Sequence, residues 1–398
     1  MNNTTKYIGF EGLGNWSTLI PAKKFFYPGD HGVIPTIIFV GTLAVVGFLG
    51  NLHVLLISFI KYTSRNTYIT YIRALAIIDF LACAIHVPLE LMDLYYPYDL
   101  FSSWSCKLFR FDNAFLFLSS SFILLAIAID RYRHVCHPFR IQRTVSLARK
   151  FIALCIISAL VFSSPLFAIY GLHKVEIDFD VFAEECYIQD NFQGTVYPII
   201  YISVLYSLFV IIAIILIYTY ASIGITMHRQ EKRRVQLVRD ICDCHFKTDC
   251  MRSHDAKHTS RISIVQDITD SNGSACSRVS SGVLRRRRQR KWVFRRFEVR
   301  KTTKILFVVT LIFILSYLPF VTLSCIVLKY PHFRKSLNEA EITIYDIAMR
   351  LTFLNNVSNP FVYGIFDDRY KIASRDFLLD LIRCLTRRRR TKVANYKH

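Results

Sequence analysis

The sequence predicts an all-α membrane protein, a seven-transmembrane helix bundle followed by a short membrane-parallel C-terminal helix. Three observations carry this expectation. The 398 residues are 53% hydrophobic yet include 50 Lys+Arg against 29 Asp+Glu, a combination that apolar spans with basic loops produce. The apolar residues gather into seven stretches of about 20 or more, enough to cross a bilayer as helix. The basic residues gather in alternate loops between those stretches.

Lipid offers no partner to a free backbone N–H or C=O, so each span has to be a helix. Helices are expected at Ile34–Lys61, Thr70–Tyr95, Cys106–Cys136, Lys150–Tyr170, Val196–Met227, Lys301–Lys329 and Glu341–Phe366. The third and seventh carry Arg110, Asp112, Asp346 and Arg350 near their outer ends. Residues 1–33 form an N-terminal segment in which Lys6, Glu11, Trp16, Lys23 and Lys24 interrupt any signal-peptide core, leaving span one to direct insertion. The bundle covers 34–366.

Loop charge sets the orientation. Lys61, Arg65, Arg131, Arg133, Arg140, Arg143, Arg149, Lys150 and the runs at 285–288 and 387–390 lie on one side. Asp93, Asp99, Glu176, Asp178, Asp180, Glu184 and Glu185 lie on the other. Positive charge stays inside, so the chain is expected to be a multi-pass plasma-membrane protein with its N-terminus outside. The sequons at Asn2, Asn3 and Asn15 fall on the outer side as candidate glycosylation sites. A net charge of +21 clustered beside apolar segments suits membrane lipids and not nucleic acid.

Residues 230–300 are polar and without helical period through their middle, so they are expected to be mostly disordered, with helical extensions of spans five and six at the edges. A group there, Cys242, Cys244, His245, Cys250, His254 and His258, matches no standard zinc-finger spacing. Over 367–385, Tyr370, Ala373, Phe377, Leu378, Leu381 and Leu385 recur at helical spacing, which predicts an amphipathic helix on the inner surface. Cys384 near its end is a candidate palmitoylation site, and 386–398 is a basic tail.

Polar residues inside apolar spans are costly, which makes them functional candidates. Gly50-Asn51 lies in span one and Asp79 in span two. Asp130-Arg131-Tyr132 closes span three, Pro319 bends span six, and Asn359-Pro360-Phe361-Val362-Tyr363 ends span seven. Cys106 opens span three and Cys186 precedes span five. In this order and at these depths, the set resembles the rhodopsin-like G-protein-coupled receptors over about residues 34–385, most similarly the peptide receptors.

The residues read consistently with that resemblance. A carboxylate at mid-bilayer needs partners, and Asn51, Ser120, Asn355 and Asn359 offer them to Asp79. Hard oxygen ligands suit a sodium ion or water, and the resemblance implies an allosteric sodium pocket at Asp79. No other cofactor is expected. Arg131 can pair with Asp130 at rest and later donate to a partner's carbonyls. The resemblance implies that it meets a heterotrimeric G protein, with Tyr220 and Tyr363 holding the active state and Phe313, Tyr317, Pro319 and Pro360 forming the switch. Pro138 presents Phe139 as an apolar contact for the G protein. The loop serines and threonines between spans five and six offer phosphorylation sites for arrestin. Cys106 and Cys186 both face the oxidising side and are expected to pair.

Several positions depart from the family pattern. Cys155 stands near the usual span-four tryptophan, Tyr317 replaces that of span six, and Ile212 falls near the span-five proline. Ser121 replaces a branched residue, and Val299 stands where an acid usually restrains Arg131.

Asn113 occupies the amine-anchoring position of the family and Phe353 the retinal-lysine position, which disfavours amine and light sensing. Residues 175–181 alternate apolar and acidic side chains, a strand signal that predicts an outer hairpin like that of peptide receptors. Glu90, Asp93, Arg110, Asn113, Glu185, Phe320 and Arg350 are the candidate pocket residues. The acids favour a ligand with basic or amidated groups, whereas Arg110 and Arg350 suit a carboxylate. A small non-amine molecule or lipid remains the alternative ligand. A transporter is the alternative class, although no repeat is visible; no catalytic motif suggests an enzyme.

Overall fold

The computed structural model describes residues 33–62, 66–98, 101–138, 143–178, 181–255, 272–330 and 333–395, with side chains except at 176–182, 234, 237–300, 335, 381 and 384–395. Asn2, Asn3, Asn15 and Phe139 lie outside the described residues. So do the side chains of Cys384, Val299 and the Cys/His group.

Among the described residues, six helices are long and apolar enough to cross a membrane: Val33–Ile60, Thr67–Tyr95, Ser103–Cys136, Val145–Ile169, Tyr197–Arg233 and Lys301–Lys329. Spans three and four begin earlier than hydropathy predicts, because polar caps close their first turns. The Ser102 hydroxyl accepts from the Ser105 N–H, and that of Thr144 from the Leu147 N–H, each at 3.3 Å. Isoleucines and leucines such as Ile157, Leu154, Ile214 and Ile217 are exposed on the bundle's outside, where lipid would cover them.

Two spans are irregular. Span two contains a π-helical turn at Ala82–His86, immediately before Pro88. Proline has no N–H to offer and its ring clashes with the carbonyl four residues back, so the turn widens and rotates His86 relative to a regular helix. Span seven is two helices, Glu339–Arg350 and Phe353–Phe366, separated by Leu351 and Thr352. The junction tightens through three-residue bonds, Leu354 N–H to Leu351 O at 2.9 Å and Asn355 N–H to Thr352 O at 3.2 Å. The single helix expected at Glu341–Phe366 is corrected accordingly.

Span one packs closely on spans two and seven through glycine. A Cβ on Gly47 would stand 2.4 Å from Cys83 Sγ and 2.9 Å from a Val357 methyl, and one on Gly50 would stand 3.0 Å from the Pro360 ring. Gly47→Val is therefore expected to lower stability by about 1–3 kcal/mol through overpacking. Thermal unfolding of the purified protein checks this; an unchanged midpoint would refute it.

The expected hairpin is present, with strands β1 (Tyr170–Asp178) and β2 (Val181–Ile188) antiparallel. Its pairing of Leu172 with Cys186 sets that cysteine against span three, and the Cys106–Cys186 disulfide forms with a Cα–Cα distance of 5.4 Å.

On the opposite face, the helical extensions expected at the edges of 230–300 are long: the fifth helix continues to Asp255, and the sixth begins at Asn272. These edges hold no proline and are rich in Arg and Lys, which favour helix. The middle of the segment, 256–271, lies outside the described residues. The C-terminal helix also runs further than expected, over Asp368–Asn395. It docks on span one: His53 Nε2 lies 2.9 Å from Ser374 Oγ, and its ring lies 6.0 Å from those of Tyr370 and Phe377. Lys61 donates to Asp380 at 2.7 Å, which holds that exposed carboxyl below its usual range.

Candidate functional site

Three polar regions lie along the bundle axis. The first is at the hairpin end, where spans two, three and seven meet β2. Arg350 pairs with Glu90 at 3.0 Å, and both side chains are largely buried. The same guanidinium reaches the Asp346 carbonyl at 3.2 Å, and Arg334 donates to the Asp346 carboxylate at 3.1 Å. Arg110 donates to the Cys186 carbonyl at 2.8 Å and stands 3.7 Å from Asp93. The disulfide thus fixes both the hairpin and the carbonyl that orients Arg110.

Four of the seven candidate pocket residues, Glu90, Asp93, Arg110 and Arg350, gather here, but as internal partners. Glu90 and Asp93 are each matched to an arginine, Glu185 follows on β2, and Asn113 is exposed. Phe320 is half-buried in span six. Sequence reasoning missed His86. It is 2% exposed, stacks on Phe109 at 5.3 Å, and lies 3.5 Å from Asp112. The signal was Pro88, whose π turn brings His86 towards span three. Asp112 points at span two while its neighbour Asn113 does not, as successive positions about 100° apart on a helix should.

The second region is at mid-bundle. Asn51, Asp79, Ser120, Asn355 and Asn359 are all fully buried. Asn359 donates to Asp79 at 2.6 Å, and Asn355 to Ser120 at 3.4 Å. Asn51 turns its amide to the carbonyls of Asn356 at 2.7 Å and Gly47 at 3.0 Å. That leaves Asp79 Oδ1 and the side-chain oxygens of Asn51, Asn355 and Asn359 buried without a hydrogen-bond partner among the described residues. Beside this network, Phe117, Phe209, Phe313 and Tyr317 pack ring against ring, with Phe117 and Tyr317 centroids 4.5 Å apart. Tyr317 thus fills the tryptophan position as a core aromatic next to Pro319.

The third region is at the far end of span three. Arg131 is buried and donates to Asp130 at 2.9 Å. Its guanidinium lies 5.7 Å over the Tyr68 ring, whose hydroxyl donates to Asp367 at 3.3 Å. His134 Nδ1 approaches the Asp130 carbonyl at 2.9 Å. Tyr220 and Tyr363 are buried close by, Tyr220 edge-on to Phe307 and Tyr363 edge-on to Tyr370. Tyr132 is half-buried and meets His137. Pro360 is buried against Gly50.

The sequence that builds this arrangement is similar to known proteins. The family model described as 7 transmembrane receptor (rhodopsin family) matches residues 50–363. The chain is 24% identical over 344 residues to neuropeptide FF receptor 2 of Rattus norvegicus, covering 86% of this chain and 72% of that one. It is 24% identical over 366 residues to the QRFP-like peptide receptor of Branchiostoma floridae, covering 91% and 80%. A shorter match, 41% over 85 residues, joins it to neuropeptide receptor 18 of Caenorhabditis elegans and covers 20% of this chain and 18% of that one. The chain spans 38% of neuromedin U receptor homolog nmur-2 of the same organism. With a buried Arg131–Asp130 pair, a buried Asp79 and a hairpin disulfide in the matched region, the chain belongs to the rhodopsin family of seven-transmembrane receptors.

Proposed function

We propose that the protein is a plasma-membrane receptor, with its N-terminus outside, that binds an extracellular peptide and activates heterotrimeric G proteins. The observation that carries the reading is the hairpin tied by Cys106–Cys186 beside the charged mouth of spans two, three and seven. A two-stranded sheet offers a backbone edge to an extended peptide, and alternate side chains can then enter the mouth. Relatives named as peptide receptors align over most of the chain. The test is a calcium and cyclic-AMP readout of cells expressing the receptor against a peptide library. Responses confined to lipids or small molecules would refute the peptide ligand.

The buried oxygens around Asp79 fit a sodium ion. The donor set is all oxygen, includes one carboxylate, and leaves several oxygens unpartnered. Bound sodium would supply the positive charge that a buried carboxylate lacks, with Asp79, Asn355, Asn359 and Ser120 as its holders. Asp79→Asn is expected to abolish any sodium effect on agonist affinity. If wild-type affinity ignores sodium from about 10 to 150 mM, a range over which screening goes from weak to strong, the site holds water instead. A potassium control separates this from ionic strength.

Arrestin is the expected partner of the phosphorylated loop between spans five and six, through residues such as Ser260, Ser263, Ser277 and Ser280. Recruitment that survives their replacement by alanine would remove this part of the reading. The basic run 387–390 and a palmitoylated Cys384 would hold the C-terminal helix on anionic lipid.

A further inference from the structure

The polar groups at the hairpin end form a charge ladder that is not balanced. Asp112 faces His86, which precedes Glu90 by one turn of span two, and Glu90, Arg350, Asp346 and Arg334 pair in succession. Arg110 and Asp93 join beside Glu90, and Glu185 acts electrostatically on Asp93 from β2. Carboxylates outnumber guanidiniums, five to three. The nearby lysines do not restore the balance: Lys107 lies over the Trp104 ring, and Lys174 stands opposite Glu184 in the hairpin register.

Both arginines within the bundle are already held. Arg350 has two internal carboxylates and a carbonyl, and Arg110 has the Cys186 carbonyl and Asp93. A ligand carboxylate would have to break a largely buried pair and then face the remaining acids. Removing one partner of such a pair is costly, since the other charge is left buried.

The unmet demand is for positive charge and for donors. Asp112 faces a histidine and not an arginine, His86 at 3.5 Å, and makes no hydrogen bond to it. Asp93 is matched only at 3.7 Å, because Arg110 gives its short bond to a carbonyl. A guanidinium brings five N–H donors and no acceptor, the complement of such a set.

We propose that Asp93, Asp112 and Glu185 receive a cationic group of the ligand, a guanidinium or ammonium, so that the receptor selects basic peptides while Arg110 and Arg350 serve as scaffold for the acids. This rests on the peptide reading above and gives the ligand its chemical class. His86 acts from below as a positioning residue that holds Asp112.

The test uses the full-length receptor in cells and a positional-scanning library of synthetic hexapeptides, read by calcium and cyclic AMP. Pools with Arg or Lys fixed are expected to be active, and pools fixed with Asp or Glu at the same position silent. In the strongest deconvoluted peptide, replacing that Arg by citrulline, its neutral isostere, or that Lys by norleucine should lower potency tenfold or more on the wild-type receptor. On Asp93→Asn and Asp112→Asn at matched surface expression, the discrimination should shrink. Equal potency of the neutral analogue, or activity led by acidic pools, would overturn the proposal and leave peptide recognition standing. Full discrimination retained in both variants and in Glu185→Gln would overturn it too. Silence of every pool would instead refute peptide recognition, and this proposal with it.

Discussion

Arg131→Ala is expected to lower agonist-driven nucleotide exchange on a G protein by about tenfold or more, with ligand affinity in G-protein-free membranes unchanged. The expectation starts from burial. Arg131 is 6% exposed, yet among the described residues its Nε has no partner, and it donates a short bond to the adjacent Asp130 at 2.9 Å. A guanidinium kept in place by a neighbour and by the Tyr68 ring is ready to exchange that partner for carbonyls of another protein. Hydrogen bonds of charged groups contribute about 1.5–3 kcal/mol each, so losing one donor pair accounts for tenfold or more. Arg131→Lys keeps the charge and loses the planar fork. It should fall between alanine and wild type, which separates geometry from charge. Exchange that is intact in Arg131→Ala would refute the role.

How much of this could be read in the sequence differs along the chain. The spans were legible because lipid imposes one requirement, a helix of sufficient apolar length, and composition reports it directly. The hairpin was legible because period-two alternation over 175–181 has few other meanings. Asp79 and Arg131 stood out as polar residues in apolar surroundings. The π turn at Ala82–His86 and the break at Leu351–Thr352 were not read, since hydropathy counts residues and ignores rotation about the helix axis. Pro88 held the clue to the first. No breaker marks the second, where Leu351 and Thr352 are ordinary helix residues. The pairing of Glu90 with Arg350 was also out of reach. The two lie on different spans far apart in sequence, so each reads alone as a free charge at the mouth, and only the fold matches them to each other.

Opening the Cys106–Cys186 bridge is the other change with a large expected effect. The two cysteines are 80 residues apart in sequence, and in the chain-entropy account a loop of that size is worth about 4 kcal/mol. Span four lies within the loop and is itself confined by the membrane, so a value nearer 2 kcal/mol is expected here. The functional loss should be as large as the stability loss. Cys186 belongs to β2 and lends its carbonyl to Arg110, which in turn stands beside Asp93. Freeing the strand would release the hairpin edge and the charge ladder together. Cys186→Ser is therefore expected to reduce agonist potency by about thirtyfold, the equivalent of about 2 kcal/mol, and to lower the thermal midpoint of the purified receptor. Cys106→Ser should match it. The double variant should be no worse than either single one, because each alone already removes the whole bridge. A double variant much healthier than both singles would show that the harm came from a stray thiol. Wild-type potency in all three would show that the hairpin holds its place by packing alone.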